Sequence, residues 1–182
     1  DGNGIWRSRN GGQTWEHPES ELSGLRVMAL AVHPENPDIL LAGVWAGSNT
    51  RQGIYCSTDG GDSWQATSGL DELNVPDLAY DPANPQIVYA ATYGGLRISF
   101  NGGLSWQIYP GAIGQLPITA LAVSQGEEDT LLYIGTVGGA IAGQIDTTLR
   151  AVQDESVMGS GVYVGYSRWY SVHLPLVLRG SQ

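Results

Sequence analysis

The stretch Ser57-Thr58-Asp59-Gly60-Gly61-Asp62-Ser63-Trp64 packs carboxylates, hydroxyls and an indole into one short run. Two chemistries suit such a cluster. Carboxylate and hydroxyl oxygens a few residues apart in a loop can ligate a hard cation such as calcium. The same oxygens can accept the backbone N–H bonds that a tight turn leaves unpaired. Gly60 and Gly61 fit the second use, because glycine reaches the positive φ of a tight reversal without steric cost.

The stretch is not alone. Its frame, Ser-x-(Asp/Asn)-Gly-Gly-x-(Ser/Thr)-Trp, recurs as Ser8, Asn10, Gly11, Gly12, Thr14 and Trp15, and as Ser99, Asn101, Gly102, Gly103, Ser105 and Trp106. Asn10 and Asn101 stand where the middle copy has Asp59. An amide keeps the turn-forming acceptor but lacks the negative charge that favours calcium. The frame therefore reads as a structural fastener, and no metal or cofactor is expected. Trp64 is expected to pack as an apolar plate between neighbouring hairpins.

Other chemistries find little support. His17, His33 and His173 lack the spacing of zinc ligands. The Gly-Gly pairs sit inside hairpins with no following helix, unlike a phosphate-binding loop. The eight basic residues, all arginine, are scattered and form no three-arginine clamp. Asp77 stands where the other copies of its segment have Ala29 and Ala120, which invites a catalytic reading; pairing with nearby backbone is its more ordinary role. His33 and Asp81 precede Pro34 and Pro82 and read as turn formers. No catalytic residue is assigned.

A second element positions these turns. VMALAVHPENPDILLAGV at 27–44, VPDLAYDPANPQIVYAAT at 75–92 and, more loosely, ITALAVSQGEEDTLLYIGT at 118–136 each give two apolar runs around a turn. That is a hairpin pattern. Joined to the glycine-rich hairpin that follows, it makes four short strands per unit, repeating at intervals in the forties. Such a period predicts an all-β fold, a β-propeller of four-stranded blades. A helical solenoid of similar period is excluded by the lack of 3.6-residue periodicity.

The predicted propeller covers 1–172, with an outer hairpin at 1–20 and blades at 25–67, 74–109 and 117–172. The last blade carries an insertion at 137–160, with a short helix expected within it, and a tail follows at 173–182. This amounts to about three and a half blades, whereas rings need about four to eight. Further blades, or self-association with another copy, would complete the ring.

The net charge of −10 argues against nucleic-acid partners and anionic membrane surfaces. No apolar run is long enough to insert into a membrane. A single cysteine, Cys56, cannot form an intrachain disulfide. A chain opening on Asp1 rather than Met reads as processed or as part of something longer.

Over about residues 1–140 the repeated frame resembles the Asp-box, or BNR, repeat of sialidases, xyloglucanases, sortilin-type receptors and photosystem II assembly propellers. The resemblance implies that the box lies on the turn between the third and fourth strands, away from any ligand. Ligands would meet the loops between second and third strands and the connections between blades. On this chain those loops carry Trp45, Asn49 and Arg51, then Tyr93. Aromatics beside an amide and an arginine suit a carbohydrate or a peptide, although packing between blades is the more ordinary role for Trp45 and Tyr93.

The reading that follows is a non-catalytic binding or scaffold module of a secreted or cell-surface bacterial protein, with a protein or glycan ligand. Two alternatives stay open: a fragment of a sialidase- or xyloglucanase-like glycoside hydrolase, and a photosystem-assembly-type propeller. Xyloglucanase-type propellers place their aspartates in a cleft between two propellers, and this chain is too short to supply two.

Overall fold

The computed structural model describes residues 4–45, 53–70, 74–126, 130–136 and 162–167. Asn49, Arg51, the expected insertion at 137–160 with its helix, and the tail at 173–182 lie outside the described residues.

Each hairpin pair becomes an antiparallel sheet. β1 (Val27–Val32), β2 (Leu40–Val44), β3 (Gly53–Ser57) and β4 (Gln65–Ala66) form the first, in that spatial order. β5 (Asp77–Tyr80), β6 (Val88–Ala91), β7 (Arg97–Ser99) and β8 (Gln107–Ile108) repeat the arrangement. β9 (Ile118–Gln125), β10 (Thr130–Thr136) and β11 (Val162–Ser167) make a three-stranded sheet with β10 in the middle. Ahead of them, residues 4–17 fold as a lone hairpin pinned by the Arg7–Glu16 bridge. The described residues hold no α-helix, only a 3-10 turn at Ala112–Gln115.

Burial follows position in the sheet. β3, β6 and β7 are buried along their whole length; β7 holds a buried Arg97 that donates to Gly114 O at 2.9 Å, and β3 and β6 are runs of apolar and small residues rather than alternations. Strands covered on both faces require that pattern. β4 and β8, at the outer edge, are exposed. The inner strands β1, β5 and β9 lie beside one another, and apolar side chains fill the gaps between sheets. These are propeller blades stacked around an inner rim.

Three apolar layers hold the stack. Leu22, Leu25, Ala42, Val44, Tyr55 and Trp64 join the first hairpin and its exit to the first sheet. Ala29, Leu41, Ile54, Cys56, Leu78, Val88 and Trp106 join the first sheet to the second. Tyr89, Ile98, Tyr109, Leu121, Leu132 and Ile134 join the second to the third. Fully buried side chains of this size contribute about 1.5–3 kcal/mol each. Cys56 lies inside the middle layer, where burial pushes its thiol pKa up and keeps it unreactive.

Candidate functional site

The Asp-box turns sit between β3 and β4 and between β7 and β8, and their polar groups serve their own backbone. Ser57 Oγ accepts from Gly61 N at 2.9 Å and donates to Asp59 Oδ1 at 2.8 Å. Asp59 Oδ1 also accepts from Asp62 N and Ser63 N, while the Ser63 hydroxyl donates to Oδ2. Gly60 and Gly61 have φ of 70° and 88°, which closes the loop.

The asparagine copies make the same turn with one proton reversed. Asn10 Oδ1 accepts from Thr14 N at 2.9 Å, and its Nδ2 donates to Thr14 Oγ1 at 2.8 Å. Asn101 repeats both bonds with Ser105, at 2.9 and 2.8 Å. The hydroxyl is the donor beside Asp59 and the acceptor beside the amides, so acid and amide are interchangeable in this frame.

A pH prediction follows. Hydrogen bonds from the Ser63 hydroxyl and N–H, then from Ser57, hold the Asp59 carboxyl well below the usual carboxylate range. Its contribution to stability is present above the unfolded-state value of about 3.9 and is lost as pH falls below it. Asp59→Asn should therefore match the parent's melting temperature near pH 7 and lose less stability between pH 5 and 2. Melting curves across that range check this; parallel curves for the two proteins would contradict it.

The indoles behave unequally. Trp64 and Trp106 are buried, and their Nε1–H groups donate to Gly61 O at 3.3 Å and Gly103 O at 3.0 Å. Trp15 is 61% exposed. Trp106 is covered by the exit of the preceding sheet, where Ser68 pairs in parallel with Ser105; among the described residues Thr14, the residue matching Ser105, has no such bridge.

Sequence reading also treated the arginines as scattered. The fold brings two together: Arg7 bonds Glu16, Gly60 O and Asp62, and Arg9 reaches Glu16 and Asp62. Glu16 is held below its ordinary pKa by Arg7 and then Arg9. These exposed pairs tie the first hairpin to the first sheet and add little stability individually.

Asp77 is occupied by backbone. Its Oδ1 accepts from Leu78 N at 2.9 Å, and its Oδ2 accepts from Leu121 N of β9 at 2.8 Å. It laces adjacent inner strands together. His33 and Asp81 occupy matching turns at the other end of their hairpins. His33 Nδ1 accepts from Glu35 N and Asn36 N at 3.2 Å, as Asp81 Oδ1 accepts from Ala83 N and Asn84 N. Asp81 Oδ2 adds a bond from the Thr130 hydroxyl at 2.7 Å, a tie to the third sheet.

Among the described residues, two aromatic rings and an arginine gather where β2 and β6 end. Trp45 follows β2, its N–H donating to Arg26 O at 2.9 Å; Tyr93 follows β6, its N–H donating to Asn74 O at 3.2 Å. Strand pairing thus sets both rings at the same end of adjacent sheets. The rings meet edge to face, with centroids 5.8 Å apart at 87°. The Arg26 guanidinium carbon lies 5.7 Å from the Trp45 ring centroid. Tyr93 is exposed and Trp45 half-buried, so the pair both packs across two sheets and presents a surface.

Arg26 was missed by sequence reading, although it directly precedes β1, whose Val27 pairs with Val44 next to Trp45. Such a group offers an apolar plate, a phenol and a fixed cation. Among the described residues no three His, Cys, Asp or Glu side chains converge on a point.

Comparison with known proteins agrees with the geometry. The BNR/Asp-box repeat model matches residues 55–66, the middle turn. The oligoxyloglucan-reducing end-specific xyloglucanase of Emericella nidulans is 27% identical over 137 residues, covering 61% of this chain. This chain spans 16% of the length of that curated relative. The crystal structure of an ancestral GH74 enzyme matches 74% of this chain and 19% of its own, at 23% identity and a TM-score of 0.56. A structure of YCF48 bound to D1 peptide matches 92% of this chain and 44% of its own, at 18% identity and a TM-score of 0.57. Both structures share the β-propeller fold with this chain.

Proposed function

We propose that this chain, a β-propeller of BNR/Asp-box repeats, is a non-catalytic glycan-binding module whose platform is Trp45, Tyr93 and Arg26. The observation that carries the reading is the edge-to-face pair built by two adjacent sheets and flanked by a guanidinium. A pyranose ring presents an apolar face of C–H groups and a rim of hydroxyls. Trp45 and Tyr93 suit the face, and the Tyr93 hydroxyl and Arg26 suit the rim. The xyloglucanase relative supports a β-linked glucan as the first ligand to test. A polysaccharide ligand in turn supports a place outside the cell.

Hydrolysis is the second reading, carried by that relative's name. Glycoside hydrolysis ordinarily needs two carboxyl groups flanking the scissile bond. The innermost-strand carboxyl, Asp77, is engaged by two backbone N–H groups.

Electrophoresis through a native gel containing xyloglucan separates these readings. The protein should be retarded, and Trp45→Ala should abolish retardation, an affinity loss of about tenfold or more. No reducing ends should appear on prolonged incubation. Unretarded migration sinks the glycan reading and turns the search to peptides, while released reducing sugar makes the chain a hydrolase piece.

A further inference from the structure

The two ends of the blade stack carry complementary uncovered faces. On β1, Met28, Leu30 and Val32 are 41%, 51% and 53% exposed, an apolar stripe along one face of the inner strand. The same position of the repeat is Leu78 in β5 and Leu121 in β9, and these are 6% and 9% exposed. Tyr80 and Val123, which match Val32, also pack against their cores. The stripe holds the position of an interblade face.

The internal seams show what covers such a face. Leu78 shares its buried layer with the small residues Ala29 and Ala31, with Leu41 beside Ala31 in the next strand. Leu121 shares its buried layer with Ala79, Ala91 and Tyr89. The matching residues of the third sheet are Ala120 and Ala122, paired with Gly135 and Tyr133. Ala120 and Ala122 are exposed. Among the described residues, an exposed large-residue face thus stands at one end and exposed small residues at the other.

We infer that the Leu30 stripe seats the β9–β10 hairpin of a second copy of this chain. The inference is independent of what the aromatic platform binds. Neither Met28, Leu30 and Val32 nor Ala120 and Ala122 carry charge, while the sequence joining β9 to β10 holds Glu127, Glu128 and Asp129. The contact is head to tail and uses two different patches, so a pair of copies joined at both ends closes on itself. In the pair, strand 4–8, which bonds only residues 16 and 25 through its backbone among the described residues, takes the edge of β10 that β11 holds in the single chain. Trp6 and Trp15, 56% and 61% exposed, gain cover at the same seam.

Light scattering of the purified chain over a concentration series tests this. A dimer is expected. Leu30→Arg and Ala122→Arg, both at exposed positions, should leave the circular dichroism unchanged and each raise the self-association Kd about tenfold or more. An equal mixture of the two variants should regain part of the dimer, because Ala122→Arg keeps a sound Leu30 stripe and Leu30→Arg keeps a sound β9–β10 face. A monomer at every concentration overturns the inference and leaves the stripe to a blade from another polypeptide segment. Association that survives both substitutions also overturns it.

Discussion

Trp106→Ala should lower stability by about 3–5 kcal/mol, the cost of deleting a buried aromatic and leaving a cavity. The ring is 6% exposed and belongs to the layer joining the first and second sheets. Its Nε1–H reaches Gly103 O at 3.0 Å and Thr67 Oγ1 at 3.2 Å, so truncation also removes the donor that those acceptors face. For a chain of this length the melting temperature should fall by about 10 °C. Trp15 supplies a control from the same motif. At 61% exposure, Trp15→Ala should cost less than about 1 kcal/mol in dilute solution. Thermal unfolding of both variants decides the matter, and equal losses would mean that the motif tryptophans do not act through burial between blades.

Gly69→Ala attacks the same seam by crowding rather than by cavity. Gly69 has φ of 85°, and a Cβ there would sit 2.3 Å from the carbonyl oxygen of Trp106. That neighbour is backbone, held by the Trp106 N–H to Ser68 O bond at 3.0 Å, so it cannot swing aside as a side chain would. The left-handed conformation adds strain for any L side chain. Together these should cost about 2–4 kcal/mol. Gly24 has a similar φ of 79° but nothing within 4 Å of an added Cβ, so Gly24→Ala should pay only the conformational part, about 1 kcal/mol. Chemical denaturation of the two variants separates the terms. A Gly69 variant as mild as the Gly24 one would show that the sheets are not locked at Ser68–Trp106.

How far the sequence could be read depends on the range of each interaction. The Asp-box turns were legible because each bond within them spans at most four residues, so residue type and spacing carry the geometry. The hairpins were legible for the same reason, through alternation and Pro- or Gly-marked turns. The contrast between exposed Trp15 and buried Trp64 was not legible, because it depends on what lies against each hairpin and the local motif is the same in all three copies. Asp77 bonds a residue on another sheet, Leu121, and sequence spacing alone does not name that partner. Arg26 escaped notice because it lies ahead of a strand and joins Trp45 only through the pairing of β1 with β2. The Trp45–Tyr93 pair was half legible: position on equivalent loops was readable, and edge-to-face contact across sheets was not.

The central claim is a division of labour, with the boxed tryptophans as fasteners and Trp45 as the binding surface at the other end of the strands. The chain's six tryptophans each give one indole N–H signal, so a single proton–nitrogen correlation spectrum reads them all. Titration with a xyloglucan oligosaccharide should shift the Trp45 signal progressively. The Trp64 and Trp106 signals, bonded to Gly61 O and Gly103 O inside the seams, should stay in place. Shifts at Trp64 or Trp106 with Trp45 unmoved would contradict the account.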